Sequence, residues 1–283
     1  MTIAADRTQT PPAATVPRRH FAFEAGRLKQ PALALILPAL LLTWWHFATS
    51  GQVYSLIPPP AQVGLAFYDL AVGGIRNDFF SGTLATHVVA SVTRVYSGFF
   101  LAVIVALPLA LMIGRIPAVR QMFDPLLQIL RPIPVTAWLP LAMIIFGIGP
   151  TSAIFLVFLG AFYPILINTV FGVRSVEPRL FEAASMLGCS PSAQFARVVL
   201  PAALPAIFTG LRLGLGFSWM VIVIGEMTGV PTGLGAIIME ARQLSRTEVV
   251  ICGMIAIGVA GFISDRIILL IGRKLLSWSP NHV

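Results

Sequence analysis

Five charged residues sit within or at the ends of otherwise apolar stretches: Arg94, Arg212, Glu226, Asp265 and Arg266. An ionisable group in an apolar run is costly, so it marks either a function or a dedicated partner. Arg94 falls where a long helix would meet the outer interface. Its guanidinium can attract an anion there, or it can snorkel or form a structural ion pair. Glu226 would repel an anion, which favours a partner such as Arg94 or His87, or a gate. These two are the candidates for lining or closing a polar path. Asp265 and Arg266 are adjacent and cannot face each other on a helix. Each is expected to pair elsewhere, across a dimer or with a cytoplasmic loop. Arg212 is expected at the inner face, with snorkelling sufficient to explain it.

Other chemistries find no support. His20, His46, His87 and His282 are scattered and have no neighbouring ligands at metal spacing, so no metal site is predicted. Cys189 lies in a polar loop and Cys252 in an apolar run, so no disulfide is expected between them. No His-Glu-x-x-His and no Ser/His pair lies within a span, which argues against an intramembrane enzyme. No Gly-x-x-x-x-Gly-Lys-Ser/Thr loop exists to cradle ATP, and no cofactor is expected.

The elements that must hold these residues follow from composition. Of 283 residues, 57% are hydrophobic and only 11% charged, with a mean hydropathy of +0.88. Soluble domains carry about 25% charged residues; this chain must be solvated largely by lipid. Stretches long and apolar enough to cross the roughly 30 Å hydrocarbon core fall at about 31–49, 88–113, 133–148, 152–172, 205–228 and 249–271. The third is short and carries Pro134 and Pro140, and the stretch before it can lie along the membrane surface. Residues 1–30 read as a flexible cytoplasmic tail with Arg7, Arg18, Arg19, Arg27 and Lys29.

The net charge of +8 is not gathered into a nucleic-acid stripe; the basic residues lie between apolar runs. With the N-terminus inside, twelve fall on the cytoplasmic side and Arg76, Arg242 and Arg246 outside, while Arg94, Arg131, Arg212 and Arg266 sit at span ends and count for neither side. That bias predicts cytoplasmic N- and C-termini.

One connection differs from the rest. Residues 173–201 form a cytoplasmic loop of two short predicted helices. Glu177 to Leu187 suits the first, with Pro178 near its start and Leu180, Ala183, Ala184 and Leu187 on one apolar face. Gly188 fits a helix stop. Ser190 and Pro191 have the form of an N-cap and first residue of a second helix, expected to end near Pro201. A compact knob of this kind suits insertion into a groove of a partner.

The same residues resemble the EAA signature of ABC importer permeases. Glu182, Ala183 and Ala184 are followed at the family spacing by Gly188, Val198, Leu200 and Pro201, and only Val198 departs from the pattern, which has Ile. Further stretches over about 80–275 look like the nitrate, sulfonate and taurine branch: Ser91 to Gly98, Arg131 to Pro140, Gly225 to Met227, Gly233 to Gly235, Asp265 with Arg266, and Trp278.

The resemblance implies an all-α polytopic bundle of about six transmembrane helices with the type I ABC importer (MetI-like) fold, in a bacterial inner membrane. It implies a permease without its own ATPase, worked by a cytosolic ABC ATPase dimer through Glu182, Ala183, Ala184, Gly188, Val198, Leu200 and Pro201. A periplasmic or lipoprotein substrate-binding protein would deliver the solute. A single loop per chain implies a permease homodimer. Arg94 and Glu226 become candidates for the translocation path or its gate. The expected cargo is a small anion such as an aliphatic sulfonate, taurine or nitrate, carried by alternating access. An amino acid or other solute is the alternative, and an ATP-independent secondary transporter a weaker one, since no internal repeat is evident.

Overall fold

The computed structural model describes residues 29–50, 57–76 and 78–276. All but the end of the expected N-terminal tail, and also His20, Trp278 and His282, lie outside these. The first unit contributes one helix, α1 (Lys29–Thr49), 21 residues long with Pro38 inside it. At the standard rise it measures about 31 Å.

The second unit holds the rest. α2 (Pro60–Val72) precedes the long α3 (Leu84–Arg115), which α4 (Pro117–Leu130) follows. A 3-10 turn over Val135–Trp138 leads into α5 (Leu139–Phe146), then α6 (Pro150–Arg174). The two short helices α7 (Pro178–Met186) and α8 (Pro191–Gln194) lead through a π-helical turn, Phe195–Val199, into α9 (Leu200–Glu226). α10 (Leu234–Gln243) and α11 (Thr247–Leu275) complete it.

Among the described residues four helical stretches are long and apolar enough to cross a membrane: α3, α6, α8 through α9, and α11. α4 and the 3-10/α5 segment make a fifth crossing if taken together, bent by 89° at Arg131–Pro134. Pro134, which the sequence flags, explains that break together with Pro132. Pro132 and Pro134 cannot donate to a helical ladder and bias their preceding residues away from it.

α6 is the central helix. Small residues let its neighbours approach closely, as membrane helices require without a hydrophobic drive between them. A methyl added at Gly98 or Gly114 of α3 would come within 2.6 and 2.7 Å of Val157 and Val173 of α6. The two contacts keep the same sequence offset, so α3 and α6 run parallel. Gly172, Gly210 and Gly225 close α6 against α9 with contacts running in opposite order, so that pair is antiparallel. α11 is antiparallel to α9: Gly261 lies beside Trp219, and Gly272 beside Phe208. The Trp219 indole N–H donates to Ser264 Oγ at 3.0 Å across this seam.

The starts of α3, α6 and α11 therefore share one end of the bundle with the end of α9. The α7–α8 loop occupies the other end. One expectation fails here: the second loop helix does not stop near Pro201. Pro201 stands in the first turn of α9, where its missing N–H costs little. The wide turn before it, closed by Leu200 N–H donating to Phe195 O, joins α8 and α9 into 36 continuous residues.

Candidate functional site

Two constellations occupy the two ends. The first is built on Glu226, the last residue of α9, which is only 1% exposed. Its carboxylate meets Arg94 Nη1 at 2.7 Å, Ser91 Oγ at 2.7 and 2.9 Å, and the Gly235 N–H at 3.0 Å. Ser91 Oγ in turn accepts the Leu234 N–H at 2.8 Å. The Arg94 guanidinium also donates to the Thr232 carbonyl and hydroxyl, and the Gly233 N–H reaches His87 Nδ1 at 3.0 Å. The carboxylate thus closes the start of α10, where helix N–H groups lack partners and negative charge is favoured. α3, α9 and α10 are joined by one buried, hydrogen-bonded ion pair.

Local backbone makes this network buildable. His87, Ser91 and Arg94 follow at spacings of four and three on one face of α3. Gly233 has φ +142°, and a Cβ there would overlap the Glu226 carboxyl group, so only glycine fits. The glycine pair read from the sequence near residue 233 is therefore a consequence of the carboxylate beside it. Sequence reasoning named Arg94 or His87 as partner of Glu226 but missed Ser91 and the α10 N-terminus. The signal for Ser91 was its place one helical turn before Arg94.

A rim of charges surrounds the same end. Arg246 bonds Asp78 at 2.7 Å and Glu248 at 2.9 Å, and Arg76 bonds Glu248 at 2.6 Å. Burial alone would raise the Asp78 carboxyl, but the Arg246 guanidinium, the Phe80 N–H and Ser81 outweigh it and hold it below the usual value. This rim fastens the segment after α2 to the start of α11.

Further along the bundle, Asp265 pairs with Arg212 of α9 through two hydrogen bonds, at 2.5 and 3.0 Å. This corrects the expectation that Asp265 reaches across a dimer or to the loop, and that Arg212 merely snorkels. Antiparallel α9 and α11 bring the two residues level. Arg266 instead lies over the Phe262 ring, 4.7 Å from its centroid. Arg212 and Asp265 border a 560 Å³ cavity between α9 and α11.

The second constellation is the α7–α8 loop. Gly188 adopts φ +73°, its N–H donates to Ser185 O, and the Cys189 N–H donates to Ala184 O, closing α7 with a left-handed cap. Ser190 Oγ accepts the Ala193 N–H and so caps α8. Gln194 ties the helices together by donating to Ser185 Oγ and Cys189 O. Val173, Val176, Val199, Ala203 and Ile207 form a small core beneath the loop, with Phe181 and Phe195 packed on it.

Of the motif residues, Ala184 is buried, Glu182, Ala183 and Gly188 are exposed, and Val198, Leu200 and Pro201 are half-buried in the root of α9. Among the described residues the Glu182 carboxylate makes no ion pair. At the tip stand Met186 and Leu187, 88% and 83% exposed. Sequence reasoning put Leu187 on an apolar face but did not foresee this exposed pair.

Several helices long and apolar enough to cross a membrane, with an exposed apolar knob at one end, define a helical membrane protein. Residues 79–277 match the family described as binding-protein-dependent transport system inner membrane component, and the protein belongs to that family. It is the permease of an ABC importer of the nitrate, sulfonate and taurine branch and a multi-pass inner-membrane protein, not the ATPase. The family's name also implies a substrate-binding protein as a partner.

The chain is 37% identical over 252 residues to the taurine transport system permease protein of Escherichia coli strain K12, covering 88% of this chain and 90% of that one. It is 38% identical over 244 residues to the nitrate import permease protein of Synechocystis, covering 84% and 86%. The bicarbonate transport system permease protein of Synechococcus elongatus is 37% identical over 244 residues, covering 83% and 86%. Among solved structures, a chain of the MetNI methionine ABC transporter in an inward facing conformation superposes with a TM-score of 0.53 at 22% identity. The match covers 66% of this chain and 95% of that one, and it carries the fold alone.

Proposed function

We propose that this permease passes a small oxyanion, such as an aliphatic sulfonate, taurine or nitrate, by alternating access. The relatives named for taurine, nitrate and bicarbonate support a small-anion cargo. The exposed knob carries the mechanistic half of the reading. In it, a cytosolic ATPase dimer grips α7 and the turn after it at Glu182, Ala183, Met186, Leu187 and Gly188. The force then passes to α8 through the bonds of Gln194 to Ser185 and Cys189, and on through Val198, Leu200 and Pro201 into α9, because no break separates α8 from that helix. A substrate-binding protein docks at the opposite end, and two copies of the chain supply the two loops that a two-fold motor needs.

In the same reading the termini are cytoplasmic, as the distribution of Arg and Lys favours. The Arg94–Glu226 pair acts as a fixed strut at the outer gate. Its guanidinium is already committed to Glu226 and Thr232, so its part in the path is to hold α9 and α10 against α3.

The test is uptake. Cells lacking the chain should lose import of at least one of labelled taurine, alkanesulfonate, nitrate or bicarbonate, and regain it on complementation. Undiminished import of all four, with loss of an amino acid instead, would overturn the cargo assignment. Import that persists after residues 182–188 are scrambled would overturn the coupling assignment.

A further inference from the structure

We propose that a cavity walled by α3, α4 and α6, at the end that carries the loop, is a binding site for an oxyanion head group of the phosphate or sulfonate class. The cavity measures 340 Å³, and its polar wall is Arg120, Asp124, Gln128, Arg131, Tyr163 and Arg174. Its single carboxylate, Asp124, is held by Arg120 at 3.0 Å. Arg131 and Arg174 have no carboxylate partner among the described residues. Arg131, at the end of α4, and Arg174, at the end of α6, therefore line the cavity with guanidinium donors that an anion in it can take up. The planar fork of arginine matches the oxygens of a phosphate or sulfonate two at a time.

The rest of the wall narrows the ligand. Ile113, Leu127, Leu166 and Val170 are apolar. From Arg174 back to Tyr163 is eleven residues of α6, about 16 Å along the helix. Exposed arginines beside buried apolar side chains in one cavity fit an anionic head with a hydrocarbon part. Basic pockets between membrane helices near the cytoplasmic surface take the head groups of acidic lipids. The same chemistry admits a free sulfonate or phosphate from the cytosol. The site does not depend on which solute the permease carries.

The full chain, reconstituted in nanodiscs of phosphatidylcholine with or without cardiolipin, tests this by native mass spectrometry of retained lipid. A parallel thermal melt with inorganic phosphate or ethanesulfonate reads free-anion binding. The wild type should retain cardiolipin, or be stabilised by the free anions, and the first result assigns the lipid source and the second the soluble one. R131Q/R174Q should weaken that binding by about thirtyfold, the ordinary effect of losing two cations at a membrane surface. R131K/R174K should keep most of it. If the double Gln variant does not fold, R131Q and R174Q singly should each lose about fivefold. Equal binding by wild type and Gln variants, or no binding of any probe to the wild type, overturns the proposal.

Discussion

At the scale of single residues, the Arg94–Glu226 pair gives the sharpest expectation. Removing one member of a buried, hydrogen-bonded ion pair strands the other charge and costs about 3–5 kcal/mol. Glu226→Ala and Arg94→Ala should each lower the melting temperature of the purified protein markedly. The double variant should be less destabilised than the sum of the two, since they share one interaction. Additive losses in that cycle would mean the two side chains act separately.

Asp78 gives a pH expectation. Its carboxyl titrates below its unfolded value of about 3.9, so its pairing with Arg246 contributes fully above that pH and is lost as pH falls through the depressed value. The melting temperature should fall on the acid side of about pH 4, and Asp78→Asn should flatten that fall. The effect is modest, because the pair is partly exposed.

At the scale of elements, the loop owes its shape to a left-handed residue. Any side chain at Gly188 has open space, since a Cβ there meets nothing within 4 Å. The cost of Gly188→Val is therefore backbone strain alone, about 1–2 kcal/mol for a residue held left-handed. The variant should still insert and accumulate, while transport per molecule falls and the complex with its ATPase weakens. Normal transport by Gly188→Val would show that the bend is dispensable. This part of the molecule was open to sequence reasoning, because Pro178, Gly188, Ser190 and Pro191 act through local backbone rules. What composition and local rules did not reveal was that Pro201 opens a long helix and does not close a short one. A proline's meaning depends on whether the turn before it can widen, as the Phe195–Val199 turn does here, with Val199 and Ala203 buried in the core beneath the loop. The Arg212–Asp265 pair was hidden for a related reason: it joins residues 53 apart, level only because α9 and α11 are antiparallel.

At the scale of the whole molecule, hydropathy exposed the crossings because lipid leaves so few alternatives to the helix. The bent pair around Pro132 was the least legible, since length alone cannot tell a broken span from a surface helix. Sidedness can be checked with the chain's own thiols. Cys252 is fully buried, whereas Cys189 is partly accessible in the loop. A membrane-impermeant maleimide should label Cys189 in inverted vesicles and leave it unlabelled in right-side-out ones. The opposite pattern would place the loop outside the cell and end the coupling reading.

The widened turn at Phe195–Val199 has a geometric consequence. Such a turn accommodates one residue more than a regular helical register, and one residue of an α-helix corresponds to about 100° of rotation. Deleting that surplus residue would restore the ordinary register and leave the knob almost where it is, whereas deleting a residue from the regular helix after it would swing the knob around the axis of α9 by about 100°. Met186 and Leu187 would then point toward a different azimuth. The compass bearing of the knob is thus held by the regular turns of α9, and the wide turn is the one place where a residue can be lost without changing it.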